Sequence, residues 1–186
     1  GAVTSPFMTK MMATNLALYQ AGEGVSASGV FYQAGSQYSI IASPFEAGWR
    51  CPTGSGITGG LIIAVLLFSK RDDFKAIAKL AIPCGIFNIN EPIIFGIPMV
   101  MNPMFAVPFF LAPIACASLG YLVQYLGLCP LFVISVPWTT PVGLFGFLAS
   151  SGNIMGGIWQ AVIIIAVSTL IYTPFVIASN RQEEAA

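Results

Sequence analysis

The sequence predicts an all-α integral membrane protein whose spanning helices alternate with broken or re-entrant segments. Three observations carry that reading. The 186 residues are 56% hydrophobic and 8% charged, with a mean hydropathy of +0.84, whereas soluble domains average about a quarter charged. Between Lys79 and Arg181 the only charged side chain is Glu91. Prolines and glycines interrupt the apolar segments, as at Pro83, Pro92, Pro113 and Pro137, so several cannot run as clean helices of about 20 residues.

Residues 5–21 read as a helix, because Phe7, Met8, Met11, Met12, Leu16 and Tyr19 recur at three- and four-residue spacing. Ser5-Pro6 opens it and Gly22 closes it. Lys10, Asn15 and Gln20 make it an amphipathic packing helix rather than a clear span. Residues 22–53 are rich in Gly, Ser and Ala, with Tyr32, Tyr38, Phe45 and Trp49. They predict a loop or re-entrant region with interfacial aromatics, and a short strand over 37–42. Residues 54–59 fit the GxGxxG spacing, but no strand precedes them and an apolar run follows. They read as a small-residue helix start rather than a dinucleotide loop.

Residues 57–68 are expected to span the membrane. Residues 69–79 form a charged connection whose four basic residues, Lys70, Arg71, Lys75 and Lys79, place it on the cytoplasmic side. Residues 81–97 break at Glu91 into half-helices or a re-entrant hairpin. Residues 104–126 form a span kinked at Pro108 and Pro113. Residues 131–149 carry a second break at Pro137-Trp138-Thr139-Thr140-Pro141. Residues 150–153 turn the chain, 154–177 form the last span, and a solvated tail starts at Ser179.

A net charge of zero without a basic stripe excludes a nucleic-acid partner. Cys51, Cys84, Cys116 and Cys129 form no CxxC pair and the chain has no His, so no metal site and no cofactor is expected. The cysteines read as small packing residues. The chain begins Gly1-Ala2-Val3, without Met or a cleavable signal peptide, which predicts a piece of a longer protein.

Phe87-Asn88-Ile89-Asn90-Glu91-Pro92-Ile93-Ile94-Phe95-Gly96 is the centre of the chain. A lone carboxylate in so apolar a setting must be protonated, paired or facing a water-filled cavity. Pro92 lacks an N–H and turns Glu91 away from helical dihedrals. Asn88 and Asn90 can contact a ligand or hold Glu91. Two broken segments with polar groups at membrane depth are the pattern of a transporter site. Glu91 also reads as a structural carboxyl capping a broken helix, or as the proton carrier of a secondary transporter. A membrane enzyme would need an acid–base pair that this apolar half lacks.

Residues 79–96, Lys79-Leu80-Ala81-Ile82-Pro83-Cys84-Gly85-Ile86 followed by the Asn-Glu-Pro segment, closely resemble the lactose/cellobiose family of enzyme IIC sugar permeases of the bacterial phosphotransferase system. Gly54-Ser55-Gly56, Met99-Val100-Met101-Asn102-Pro103 and Pro137-Trp138-Thr139-Thr140-Pro141 follow in that family's order. The resemblance implies that residues 1–186 are the C-terminal substrate-binding part of a multi-pass permease in the bacterial plasma membrane. An N-terminal half would build a homodimer contact, and a substrate-binding His would precede Gly1. It implies a β-linked disaccharide of the cellobiose, lactose or chitobiose type, phosphorylated by a IIB partner fed by IIA. The chain itself would be a transport subunit and not an enzyme. Glu91 matches the family's sugar-binding Glu. Asn88, Asn90, Gly54, Ser55 and Gly56 join it as expected substrate-binding residues, with Trp138 as a face for a sugar ring and Thr139 and Thr140 as hydroxyl donors.

Overall fold

A computed structural model describes residues 4–26, 29–97, 99 and 103–184, with side chains to Asn180. The predicted beginning at Gly1, residue 98, residues 100–102 of the Met99-to-Pro103 motif, and the side chains of the predicted tail from Arg181 onward lie outside these. The described order is α1 (Thr4–Gln20), β1 (Val25–Ser26), β2 (Gly29–Val30), α2 (Ser43–Trp49), α3 (Gly59–Phe68), α4 (Asp72–Ile86), α5 (Glu91–Gly96), α6 (Pro103–Tyr125), α7 (Leu144–Ala149), α8 (Ile154–Val162) and α9 (Ser168–Glu184). A π-helical turn, Ile163–Val167, joins α8 to α9. Two helical stretches, Pro103–Tyr125 and Ile154–Asn180, are long and apolar enough to cross a membrane. The predicted kinked span and last span are therefore present, and helix continues to Glu184, where a solvated tail was expected.

Other expectations change. Residues 57–68 do not span. The helix there has 10 residues, about 15 Å at 1.5 Å per residue, half of a bilayer core of about 30 Å. Turns around Gly54 and Gly56, both with positive φ, link α2 to α3. The charged connection of residues 69–79 is a three-residue link followed by the first turns of α4. Asp72 and Asp73 sit in the first turn of α4, where acids complement the helix dipole. Arg71 bonds Asp73 at 2.6 Å and lies over the Phe74 ring, so alternating charge marked a helix start rather than a loop. That bond holds the Asp73 carboxyl below its ordinary value.

The strand expected over 37–42 does not form. β1 pairs with β2 instead, Val25 opposite Val30 and Ser26 opposite Gly29. The reason lies in α1: the buried Asn15 amide donates to the Ser39 carbonyl at 2.7 Å and accepts the Ser39 N–H at 2.9 Å. Its side chain takes the place of a pairing strand.

The core lies between α2, α3, α6 and α9. Trp49 is fully buried and stacks on Phe132 with ring centroids 5.4 Å apart. A Cβ at Gly120 of α6 would collide with the Trp49 indole, and one at Gly60 of α3 would collide with Ser168 of α9. These glycines let helices approach closely where apolar solvent gives no hydrophobic drive. Hydrogen bonds fasten α3 to α9 at both ends. Tyr172 donates to the Gly56 carbonyl at 2.7 Å. Asn180 donates to the Phe68 carbonyl at 2.9 Å and accepts from Lys70 N–H at 2.9 Å.

The second break is longer than the sequence predicts: from residue 126 to residue 143 the backbone is irregular, and of the 131–149 segment only α7 is helical. Gln160 of α8, fully buried, closes it. Its Oε1 accepts the N–H groups of Gly143 at 3.0 Å and Gly146 at 2.8 Å. Its Nε2 donates to the Gly48 carbonyl of α2 at 2.8 Å. Replacing it by leucine strands two donors and one acceptor. Q160L is expected to lose roughly 2–4 kcal/mol of stability, measured as a lower thermal midpoint in detergent. An unchanged midpoint would contradict this packing.

Candidate functional site

Three irregular segments converge where α4 ends. The first is the turn that leads from α2 into α3, residues 50–58. The second is the break between α4 and α5, residues 87–90. The third is the 137–141 segment. Local turn bonds, such as Gly54 N–H to the Cys51 carbonyl and Thr140 N–H to the Pro137 carbonyl, satisfy only part of the backbone of these segments, and side chains must take up the rest.

Asn88 joins all three. Its φ of 64° lies in the left-handed region, which asparagine tolerates better than most residues. Its Oδ1 accepts the Thr53 N–H at 2.7 Å. Its Nδ2 donates to the Thr140 carbonyl at 2.8 Å and also to the Trp138 carbonyl. Asn90 adds a parallel tie, donating to the Ser55 carbonyl at 2.7 Å. Gly54 sits against it with φ 85°, and any Cβ there would enter the Asn90 side chain. Thr53 completes the turn: its hydroxyl accepts the Gly59 N–H at 2.9 Å, at the start of α3.

With the amides so committed, Glu91 stands apart. It is the first residue of α5, followed by Pro92. It is exposed, and no hydrogen bond or ion pair to its carboxylate is found among the described residues. It faces a cavity of about 410 Å³ lined by Glu46, Arg50, Ser55, Asn88, Asn90 and Trp138, with Ser43, Ala47, Cys51 and Gly54 completing the wall. That volume lies within the 300–1,000 Å³ usual for small-molecule pockets. Trp138 presents an indole that is 64% exposed.

The structure thus brings together Glu91, Asn88, Asn90, Trp138, Gly54 and Ser55 of the expected residues. It does not bring Gly56, Thr139 or Thr140 to this wall. Gly56 borders a neighbouring groove against α6 and gives its carbonyl to Tyr172. Thr140 contributes its carbonyl to Asn88. The sequence reading missed α2. Ser43, Glu46, Ala47 and Arg50 recur at the spacing of one helix face, and Glu46 pairs with Arg50 in the cavity wall. The signal was an acid and a base four residues apart inside an otherwise apolar stretch. Another, largely apolar cavity of about 370 Å³ lies between α3, α4 and the π-helical turn and borders Thr53 and Pro141.

This arrangement makes a prediction about the turn. Gly54→Ala forces the turn away from Asn90 and opens the cavity wall at Cys51, so Cys51 is expected to alkylate faster with a maleimide. Mass spectrometry of the alkylated protein reads the rate. Labelling equal to that of the parent would contradict the close approach.

Comparison with known proteins now adds what geometry alone does not. The family described as "Phosphotransferase system, EIIC" matches residues 1–113. The cellobiose-specific EIIC component of Lactococcus lactis subsp. lactis (strain IL1403) is 42% identical over 135 residues, covering 70% of this chain and 26% of that protein. The lichenan permease IIC component of Bacillus subtilis (strain 168) is 37% identical over 184 residues, covering 98% of this chain and 38% of that one. The crystal structure of the transporter ChbC, the IIC component of the N,N'-diacetylchitobiose-specific phosphotransferase system, has a TM-score of 0.85 and 34% identity, over 100% of this chain and 40% of ChbC. The chain spans less than two fifths of the length of these curated relatives. By sequence and by fold, the chain belongs to the EIIC family of membrane-embedded phosphotransferase-system permeases.

Proposed function

We propose that residues 1–186 are the C-terminal, substrate-holding part of a multi-pass permease of the bacterial plasma membrane. The permease binds a β-linked disaccharide of the cellobiose, lactose or chitobiose type and moves it to the cytoplasmic side. There a IIB subunit, charged from phosphoenolpyruvate through IIA, phosphorylates it and traps it inside. The names of the relatives, which concern cellobiose, lichenan and N,N'-diacetylchitobiose, support this class of sugar. In this reading the preceding part of the polypeptide forms a homodimer contact.

The observation that carries the reading is Glu91, a carboxylate with no partner among the described residues, on the wall of a cavity that also holds an exposed Trp138. A carboxylate accepts several hydroxyl hydrogen bonds at once, and charge-assisted bonds are about twice as strong as neutral ones. A sugar ring has an apolar face of C–H groups that suits an indole. Asn88 and Asn90 serve the site by holding the backbone that carries Glu91 and Trp138, since their Nδ2 groups donate to carbonyls. Thr139 and Thr140 belong to that framework. Gly54 allows Ser55 to reach the wall.

Chemistry on the sugar belongs to the partner. Once the partner attaches a phosphate, Glu91 faces an anion and repels it, which favours release to the cytoplasm.

Two results test this reading. In the complete polypeptide purified in detergent, Glu91→Gln is expected to weaken binding of the best β-linked disaccharide at least tenfold, as follows from losing a bond to a charged group worth about 1.5–3 kcal/mol. Calorimetry on a panel of such sugars measures it. Equal affinity in a folded variant would make the carboxylate structural or a proton carrier. In cells, sugar uptake is expected to stop when IIA or IIB is deleted and to continue when the proton gradient is collapsed. The opposite pattern would indicate proton coupling.

A further inference from the structure

We infer that the Glu46–Arg50 pair of α2 is a second sugar-binding wall, in which Arg50 donates to sugar oxygens that Glu91 cannot serve and Glu46 holds the guanidinium in place. This rests on the sugar-binding reading of the cavity.

The placement of charge is the first argument. The chain has seven acidic and seven basic residues. Glu46, Arg50 and Glu91 line one cavity. The remaining ones lie at Lys10, at Glu23, within residues 70–79 and within residues 181–184. In a chain so apolar, charges away from its ends and linkers are expensive and are kept where they face water or a ligand.

The second argument is the helix face. Ser43, Glu46, Ala47 and Arg50 line the cavity, whereas Phe45, Gly48 and Trp49 are buried on the other side of α2. Gly48 gives its carbonyl to Gln160, and Trp49 stacks on Phe132. The fold therefore fixes which face of α2 the cavity receives.

The third argument is donor supply. A carboxylate only accepts hydrogen bonds, and Glu91 and Glu46 are both acceptors. The Asn88 and Asn90 Nδ2 groups already donate to backbone carbonyls. A sugar also carries acceptors: the ring oxygen, the glycosidic oxygen and the hydroxyl lone pairs. Arg50 is the strong donor on this wall, with five N–H groups, and Glu46 holds it by its Nη2 end. Arg50, Cys51 and Ser55 also border the groove against α6, while Glu91 and Trp138 do not. Arg50 thus serves the ring on the α6 side and Glu91 serves the other.

An exposed pair four residues apart contributes little to stability, so the fold should tolerate its removal. The test uses the complete polypeptide in detergent and the disaccharide that binds best. Arg50→Gln and Arg50→Lys are each expected to weaken binding tenfold or more, with the thermal midpoint without sugar nearly unchanged. Lysine retains charge but lacks the planar fork. Single-deoxy and single-fluoro forms of the sugar locate the contact: at one position on one ring, the penalty of Arg50→Gln disappears. The double variant Glu46→Gln/Arg50→Gln, which leaves neither charge unpaired, is expected to bind as weakly and serves if Arg50→Gln alone does not fold. Glu91→Gln runs alongside. If it loses binding while the Arg50 variants and the double variant keep parental affinity, the inference fails and the sugar site stands. If the parent binds no sugar of the panel, both fail.

Discussion

Backbone polar groups released by a broken helix have no water to turn to inside an apolar protein, and here buried carboxamides take them up. Asn88 is the central case, since one side chain holds Thr53, Trp138 and Thr140. Gln160 repeats the device at the start of α7, and Asn15 and Asn180 repeat it at Ser39 and at the end of α3. An amide suits this task because it offers donors and acceptors without carrying a charge that would have to be desolvated. The breaks are therefore as well determined as the helices between them. Irregular backbone at membrane depth is tolerable only under such terms.

That arrangement divides labour within the Asn-Glu-Pro segment. The Asn88 amide ties the three segments together and the Asn90 amide donates to Ser55, whereas the Glu91 carboxylate has no partner among the described residues. Pro92 supplies no N–H at the second position of α5, where none is needed, so Glu91 begins a helix without being drawn into it. The carboxylate is carried on backbone that two other segments hold in place through Asn88 and Asn90, so its position is set before anything enters the cavity. Gly54 matters for the same reason: only a residue without a side chain admits Asn90 to the turn.

Much of this was legible in the sequence. The single charge between Lys79 and Arg181 located the break at Glu91, and prolines located the second break. The long spans were readable because length and hydropathy suffice for them. What escaped was decided by distant partners. Residues 57–68 have the composition of a span, but their extent is set by the turn at Gly54 and Gly56 and by the fastening to α9. The seven-residue α2 is too short to announce itself by periodicity, so residues 22–53 read as a loop or re-entrant region. The role of Gln160 is not readable from its neighbours, because its partners lie 14 to 112 residues away in the chain. The division between asparagines that hold backbone and a glutamate that faces the cavity also depends on those partners.

The most direct measurement is a structure of the complete polypeptide with a β-linked disaccharide bound. The account predicts sugar hydroxyls within hydrogen-bond distance of the Glu91 carboxylate and a ring against Trp138, with the Asn88 and Asn90 amides still bonded to the backbone. A sugar bound outside this cavity, or one that draws both asparagine amides from the backbone onto itself, would contradict it.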